Sequence, residues 1–213
     1  MILAHANLGR GVSTAEFRRN ARMVLNAGGK RAVFAFQEID EADAPEEMDY
    51  LAGKLAKTHR IAGERTAVPI FVPNHFALLA ESQALGCRGL AKFTPNRPIN
   101  EAVVGIGPNL EPALFNFHVP LDRPQTQGRR AQMRRNVRAR VRRHETGLYV
   151  ADTNHRRGWP TIVPGEKSVT EAGIDKAKAW SDVRRVVVSD RRVIPLTIDG
   201  HDGHVARVRW EPK

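Results

Sequence analysis

The amino-acid sequence predicts an α/β fold of the mixed (α+β) kind, with helices packed against mixed β-sheet. Three observations carry this expectation. Apolar runs of strand length recur, and Ala32-Val33-Phe34-Ala35-Phe36 is continuous, as in a strand covered on both faces. Other segments repeat their apolar residues at helical spacing and bring their own start and stop signals. Helices and strands alternate irregularly, with hairpins between them, which argues against a regular parallel α/β sheet.

Taken in order, Ile2 to Asn7 is the first strand. Ser13-Thr14-Ala15-Glu16 has capping-box spacing; Phe17, Ala21, Val24 and Leu25 follow at helical spacing, and Gly28-Gly29 ends the helix. The Ala32–Phe36 strand runs into Gln37-Glu38. Asp43, Pro45, Glu46 and Glu47 mark a second helix start, with Met48, Leu51 and Leu55 as its buried stripe. Val68 to Val72 and Phe76 to Ala80 read as strands. Ser82 to Asn100, with its Gly and Pro, reads as loop-rich. Ala102 to Ile106 and Ala113 to Phe117 form a hairpin around Gly107-Pro108-Asn109, and the second strand ends at His118. Met133, Val137 and Val141 give an arginine-rich helix a narrow apolar stripe. Leu148-Tyr149-Val150-Ala151 is a short buried strand leading into Asp152-Thr153-Asn154. His155 to Thr170 reads as loop, and Val186-Val187-Val188 as strand. In the last strand Ala206, Val208 and Trp210 alternate with Val205, Arg207 and Arg209.

At 213 residues the chain suits one well-buried domain spanning 1–213. No apolar run approaches the roughly 18 residues of a membrane helix, and the first residues do not read as a signal peptide. Cys87 is the only cysteine, which excludes an internal disulfide and Cys-rich zinc sites. Cytoplasmic residence is the expectation. The net charge of +11 bears on partners rather than on fold. Eight arginines fall between Arg129 and Arg143, and no acid lies from Arg123 to His144. A polyanion such as nucleic acid fits that charge; so does a solvated arginine face.

Polar residues recur at strand ends. Asn7, Glu38, His118 and the pair Asp152/Asn154 each close an apolar strand; Asp175 precedes a strand region, and His201 sits in the turn before the last strand. Residues 152 and 154 point to the same side of an extended segment. Each has a plainer reading: Asn7 can cap a turn, Glu38 can be a solvated strand end, His118 a satisfied core histidine, and Asp152-x-Asn154 an Asx turn. Together they suit phosphoester hydrolysis. Mg²⁺ takes carboxylate and amide oxygens, which Glu38, with Asn7 nearby, supplies. Asp152 is suited to orient or deprotonate a water. Asn154, His118 and His201 are suited to hydrogen-bond the charge developing on phosphorus. Asp175 would fix the tautomer of one histidine.

These residues carry a resemblance to the endonuclease/exonuclease/phosphatase superfamily, which includes exonuclease III and pancreatic deoxyribonuclease. Ala4-His5-Ala6-Asn7 resembles its opening strand, Phe36-Gln37-Glu38-Ile39 its Gln-Glu metal motif, and Asn116-Phe117-His118 the strand ending in an active-site His. Ala151-Asp152-Thr153-Asn154 resembles its Gly-Asp-x-Asn signature, and Gly173-Ile174-Asp175 the Ile-Asp motif whose Asp pairs with the last His. The resemblance implies a four-layer sandwich of two packed mixed β-sheets flanked by helices, with the site at one end. It also implies Mg²⁺- or Mn²⁺-dependent hydrolysis of phosphate esters.

One departure stands in the last turn. The family closes with Ser-Asp-His, and here the chain reads Asp199-Gly200-His201-Asp202-Gly203-His204. Strand parity favours His201 over His204, which leaves Gly200 in the acid's place. Asp182 competes with Asp175 as the partner acid, and the Gly-Ile context favours Asp175. The expected function is a metal-dependent nuclease acting on DNA or RNA, with Arg156, Arg157 and Trp159 placed after Asn154 to touch a nucleic-acid backbone or stack on a base. The alternatives are a phosphatase or phosphodiesterase on a small or lipid-linked ester, and a catalytically weak nucleic-acid-binding protein. The arginine helix is expected on an outer sheet face, away from the site.

Overall fold

A computed structural model describes residues 1–9, 11–39, 44–62, 66–89, 96–154, 160–170 and 175–213. Two six-stranded sheets form its core, and both are mixed. The first contains β1 (Ile2–Asn7), β2 (Ala32–Gln37), β3 (His59–Ala62), β4 (Ile70–Pro73), β11 (Arg184–Pro195) and β12 (Asp202–Pro212), in the order β11-β12-β1-β2-β4-β3. The second contains β5 (Ala77–Cys87), β6 (Arg97–Gly105), β7 (Ala113–His118), β8 (Thr146–Asp152), β9 (Lys167–Thr170) and β10 (Asp175–Ser181), in the order β5-β6-β7-β8-β10-β9. Each sheet has a parallel pair at its centre: β1 with β2, joined through helix α1 (Thr14–Gly28), and β7 with β8, joined through helix α3 (Gln127–Val141). The expected four-layer sandwich is the observed one.

Three apolar clusters hold the layers together. Leu3, Val33 and Val72 from the first sheet meet Val104, Leu114, Leu148 and Val150 from the second between the sheets. Phe17, Ala21 and Val24 of α1, with Met48 and Leu51 of helix α2 (Pro45–Leu55), cover the outer face of the first sheet. Met133, Val137 and Val141 of α3 pack on Phe115, Phe117, Tyr149 and Trp180 on the outer face of the second. This is why β1, β2, β7 and β8 are apolar on both sides. The start of α1 has the predicted cap, with the Glu16 N–H donating to Ser13 Oγ. Its end needs glycine: a Cβ on Gly28 would lie 2.7 Å from Phe34 Cε1, and Gly29 takes φ 71°.

Several strands depart from expectation. The stretch read as loop between Ser82 and Asn100 contains the end of β5 and the start of β6. β9 lies in the presumed loop before Thr170, and β3 and β10 had no counterpart in the pattern. Most of β5 is exposed or half-buried, and Lys176 and Lys178 interrupt the apolar residues of β10. Their pairing partners, rather than their own composition, make them strands. No helix among the described residues is long and apolar enough to cross a membrane.

Candidate active site

Strand direction brings the site together. In a parallel pair both C-terminal ends lie on one rim, and the two central pairs place Asn7, Glu38, His118 and Asp152 there. β12 runs antiparallel to β1, and β10 antiparallel to β8, so their first residues reach the same rim. Asp175 lies directly opposite Asp152 in the ladder, and His201 immediately precedes β12.

Asp152 is the hub, and it is buried. Asn7 Nδ2 donates to its Oδ2 at 2.8 Å, across the interface between the sheets. The Asn154 N–H donates to its Oδ1 at 2.8 Å. Asp152-x-Asn154 is therefore an Asx turn as well as a pair of site residues, with Asn154 at φ 49°. Asn7 also caps a turn, its Oδ1 accepting from the Gly9 N–H at 2.8 Å. That bond fixes the amide so that its nitrogen faces Asp152. Glu38 turns away from the strand end at φ 58°, an uncommon conformation for its residue type. It is the more open of these carboxylates, with its side chain 22% exposed against 1% for Asp152.

The two histidines differ in charge. Burial, then the positive charge of Arg97, then His201, hold His118 well below the ordinary imidazole range, so it is neutral. Arg97 Nη1 lies 2.7 Å from His118 Nδ1. A guanidinium only donates, so Nδ1 accepts and the ring proton sits on Nε2, 3.3 Å from Asp152 Oδ2. Asn154 Nδ2 also faces that Nε2, at 2.9 Å, while donating to the Val119 carbonyl at 2.7 Å. His201 donates from Nδ1 to Asp175 Oδ2 at 3.0 Å. Burial opposes its charge, but the hydrogen bond and charge of Asp175, with Asp152 and Glu38 beyond, raise it above the ordinary imidazole value. Asp152 itself is pushed up to about 7, by burial first and by Asp175 second, against the lowering effect of the Asn154 N–H and His201.

His204 is set apart from this group. It is buried, and its ring stacks on His5 at 5.0 Å. Gly200 has φ 78° and open space where a Cβ would stand. Asp182 sits at the other end of β10, where its N–H donates to the Glu145 carbonyl. Arg156, Arg157 and Trp159, and the Gly173-Ile174 dipeptide, lie outside the described residues.

Sequence reading missed the roles of four further residues. Gln37 Nε2 donates to Asn116 Oδ1 at 2.5 Å, and Asn116 Nδ2 donates to the Phe36 and Pro69 carbonyls, stitching the sheets together directly beneath Glu38. Arg97 belongs to a stretch read as loop. Arg130, in the arginine helix, is buried and reaches the Thr153 carbonyl at 3.4 Å. It also donates through Nη1 to the Pro120 carbonyl. The first turn of α3 therefore buttresses the site, correcting the expectation that the helix lies wholly away from it.

No family model and no curated protein sequence matches the chain. Solved structures do. An endonuclease/exonuclease/phosphatase from Bacteroides vulgatus superposes with TM-score 0.73 at 11% identity, over 99% of this chain and 98% of the other. D. rerio TDP2 complexed with a single-strand DNA product gives 0.74 at 15% identity, over 98% of each chain. A mannosyl-6-phosphatase from Bacteroides thetaiotaomicron gives 0.68 at 12%, over 98% of this chain and 99% of the other. These TM-scores and the near-complete coverage, at identities this low, establish a likeness of architecture, and the chain has the endonuclease/exonuclease/phosphatase fold.

Proposed function

We propose that the protein is a divalent-metal-dependent phosphodiester hydrolase whose substrate is nucleic acid. The observation that carries this is the meeting of Asp152 with Asn7, Glu38, His118, Asn154, Asp175 and His201 at one rim. A carboxyl raised to about 7 is matched to taking a proton from water near neutrality. His118 and the Asn154 amide stand beside Asp152 as groups suited to donate to an anionic phosphate oxygen. His201, held by Asp175, brings positive charge to the oxygen that leaves or to the phosphoryl group.

The residues fit a hard cation. Glu38, His118 and Asp152 offer atoms within 4.8 Å of one another, as do Asp152, Asp175 and His201. Asp175 Oδ1 is buried without a hydrogen-bond partner among the described residues. Glu38, the more open carboxylate, would hold Mg²⁺ or Mn²⁺. Asn7 orients the Asp152 carboxylate through Nδ2, and its Oδ1, which accepts from the Gly9 N–H, is the atom that would join Glu38 on the ion. A bound ion supplies Lewis-acid polarisation of a phosphate oxygen.

The net charge of +11 favours a polyanion, and a structural neighbour is complexed with single-strand DNA. Arg156, Arg157 and Trp159 follow the Asx turn closely enough in sequence to touch that strand. A second reading, hydrolysis of a small phosphate ester, is favoured by the mannosyl-6-phosphatase neighbour. The open Gly200 favours a third, a catalytically weak nucleic-acid binder. The test is incubation with plasmid, single-stranded DNA, RNA and bis(p-nitrophenyl) phosphate, each with Mg²⁺, Mn²⁺ or EDTA, beside Asp152→Asn and Glu38→Ala. Metal-dependent cleavage of nucleic acid, lost in both variants, is expected. Turnover of the small ester alone supports the second reading, and salt-sensitive binding without turnover the third.

A further inference from the structure

Arg97 opens β6 at the site rim. Its Nη1 lies 2.7 Å from His118 Nδ1, the ring nitrogen that also stands 3.5 Å from Glu38 Oε1. A guanidinium and a carboxylate thus meet around one edge of the imidazole. Arg97 Nε is buried with no hydrogen-bond partner among the described residues. The charges of Glu38 and Asp152 both act on the group, against the cost of its burial.

Orienting His118 does not require this arrangement. A neutral amide would donate to Nδ1 equally well, without placing a charge out of water. An arginine adds a permanent positive charge and a planar fork of donors, which matches two oxygens of one phosphate. Among the described residues the fork has donors to spare beyond the one aimed at His118, and Asn154 Nδ2 stands 2.9 Å from Nε2, the other nitrogen of the same ring.

We propose that Arg97 is a substrate-contacting residue whose guanidinium grips non-bridging oxygens of the scissile phosphate beside His118. The proposal rests on the phosphoester reading of the site and deepens it. The rim then presents a fixed cation of the chain's own from the second sheet, facing the Glu38 carboxylate from the first. Substrate would find part of its charge matched before any metal is bound.

The test separates this contact from a merely structural role. Inorganic phosphate is titrated in EDTA, followed by ³¹P NMR, against wild type, Arg97→Gln and Arg97→Lys, with melting temperatures recorded for each. Arg97→Gln is expected to weaken phosphate binding about tenfold or more, the size of one charge-assisted hydrogen bond. Arg97→Lys is expected to fall between the two, because a point charge replaces a fork. Equal affinity in all three, or no phosphate binding by wild type, overturns the proposal. If only the lysine variant folds, an affinity within about twofold of wild type overturns it. Cleavage of bis(p-nitrophenyl) phosphate in Mg²⁺ keeps the two claims apart. Cleavage lost in Asp152→Asn but undiminished in Arg97→Gln leaves the hydrolase standing and removes Arg97 from it. No cleavage by wild type, together with Arg97-dependent phosphate binding, removes the hydrolase and keeps the contact.

Discussion

At the scale of single residues, the site works through environment more than identity. Asp152 and Asp175 are opposed carboxylates in one ladder, yet one faces two N–H donors and the other a histidine. Asp152 carries a cost for being charged, since burial and Asp175 both favour its neutral form. Asparagine in its place removes the charge, but an amide accepts through one atom only, so either Asn7 Nδ2 or the Asn154 N–H loses its acceptor. The two effects oppose each other, and Asp152→Asn is expected to fold and to melt close to wild type, while kcat for diester cleavage falls on the order of 10² to 10⁴-fold. Circular dichroism and initial rates on the same preparation check both halves; an undiminished rate in the folded variant would sink the argument. The strand-end residues were legible in the sequence because each interrupts an apolar run with a polar group, something a buried strand does only where it stops. Arg97 and Arg130 were not. A sequence with 34 lysines and arginines gives no sign of which of them turn inward, and here Arg130 is buried and Arg97 half-buried at the rim.

At the scale of elements, close packing sets which substitutions each layer tolerates. β8 passes so near its neighbours at Gly147 that an added Cβ would meet Trp180 Cη2 at 2.4 Å and the Ala113 carbonyl at 2.5 Å. Ala113 is on the parallel strand β7 and Trp180 on β10, so neither contact can relax without moving a ladder. Gly147→Ala is expected to destabilise the fold by about 1–3 kcal/mol, read as a lower urea midpoint at unchanged m-value. His59 gives the β3 end of the first sheet a pH dependence. It is buried, with Nε2 2.7 Å from the Ala32 carbonyl and Nδ1 2.7 Å from Thr58 Oγ1. Burial lowers its pKa below 6.5, partly offset by the Ala32 bond. A depressed folded-state value means that the unfolded chain takes the proton first. The stability His59 contributes is therefore full above 6.5 and is lost as pH falls from there through the folded pKa. His59→Gln should flatten the loss of stability between about pH 6.5 and 5 relative to wild type. Denaturant titrations at the two pH values measure it, and parallel curves for both proteins would refute it. The central strands and all three helices were readable because they bury a face of their own. β3, β9 and β10 are short or interrupted by charge, so only their register partners define them.

At the scale of the whole molecule, the two sheets share one plan. Each sets a parallel pair at positions three and four, with an antiparallel neighbour on either side and a short strand at the far edge. The rim is where the two plans face each other, which explains how residues from Asn7 to His201 come together without any repeat in the sequence. The same geometry fixes where the arginine helix points. β7 and β8 are parallel, so α3 between them runs back, with Arg130 at the rim and its last turn at the opposite end. Fifteen residues put the two ends of α3 roughly 20 Å apart. Arg142 and Arg143, just past its last turn, are exposed, too far from Asp152 to touch the reacting phosphate. Their expected effect is on encounter: they add to a positive field that draws in a polyanion, and salt screens that field over about 10 Å at 0.1 M. Replacing both with glutamine should lower kcat/KM on a long single-stranded DNA severalfold at low salt. The difference should close as salt rises, and kcat on bis(p-nitrophenyl) phosphate should not move, since an ester that small gains little from a distant charge. A rate loss on the small ester would instead mean that the last turns of α3 support the site mechanically, through the same helix whose first turn holds the Thr153 carbonyl.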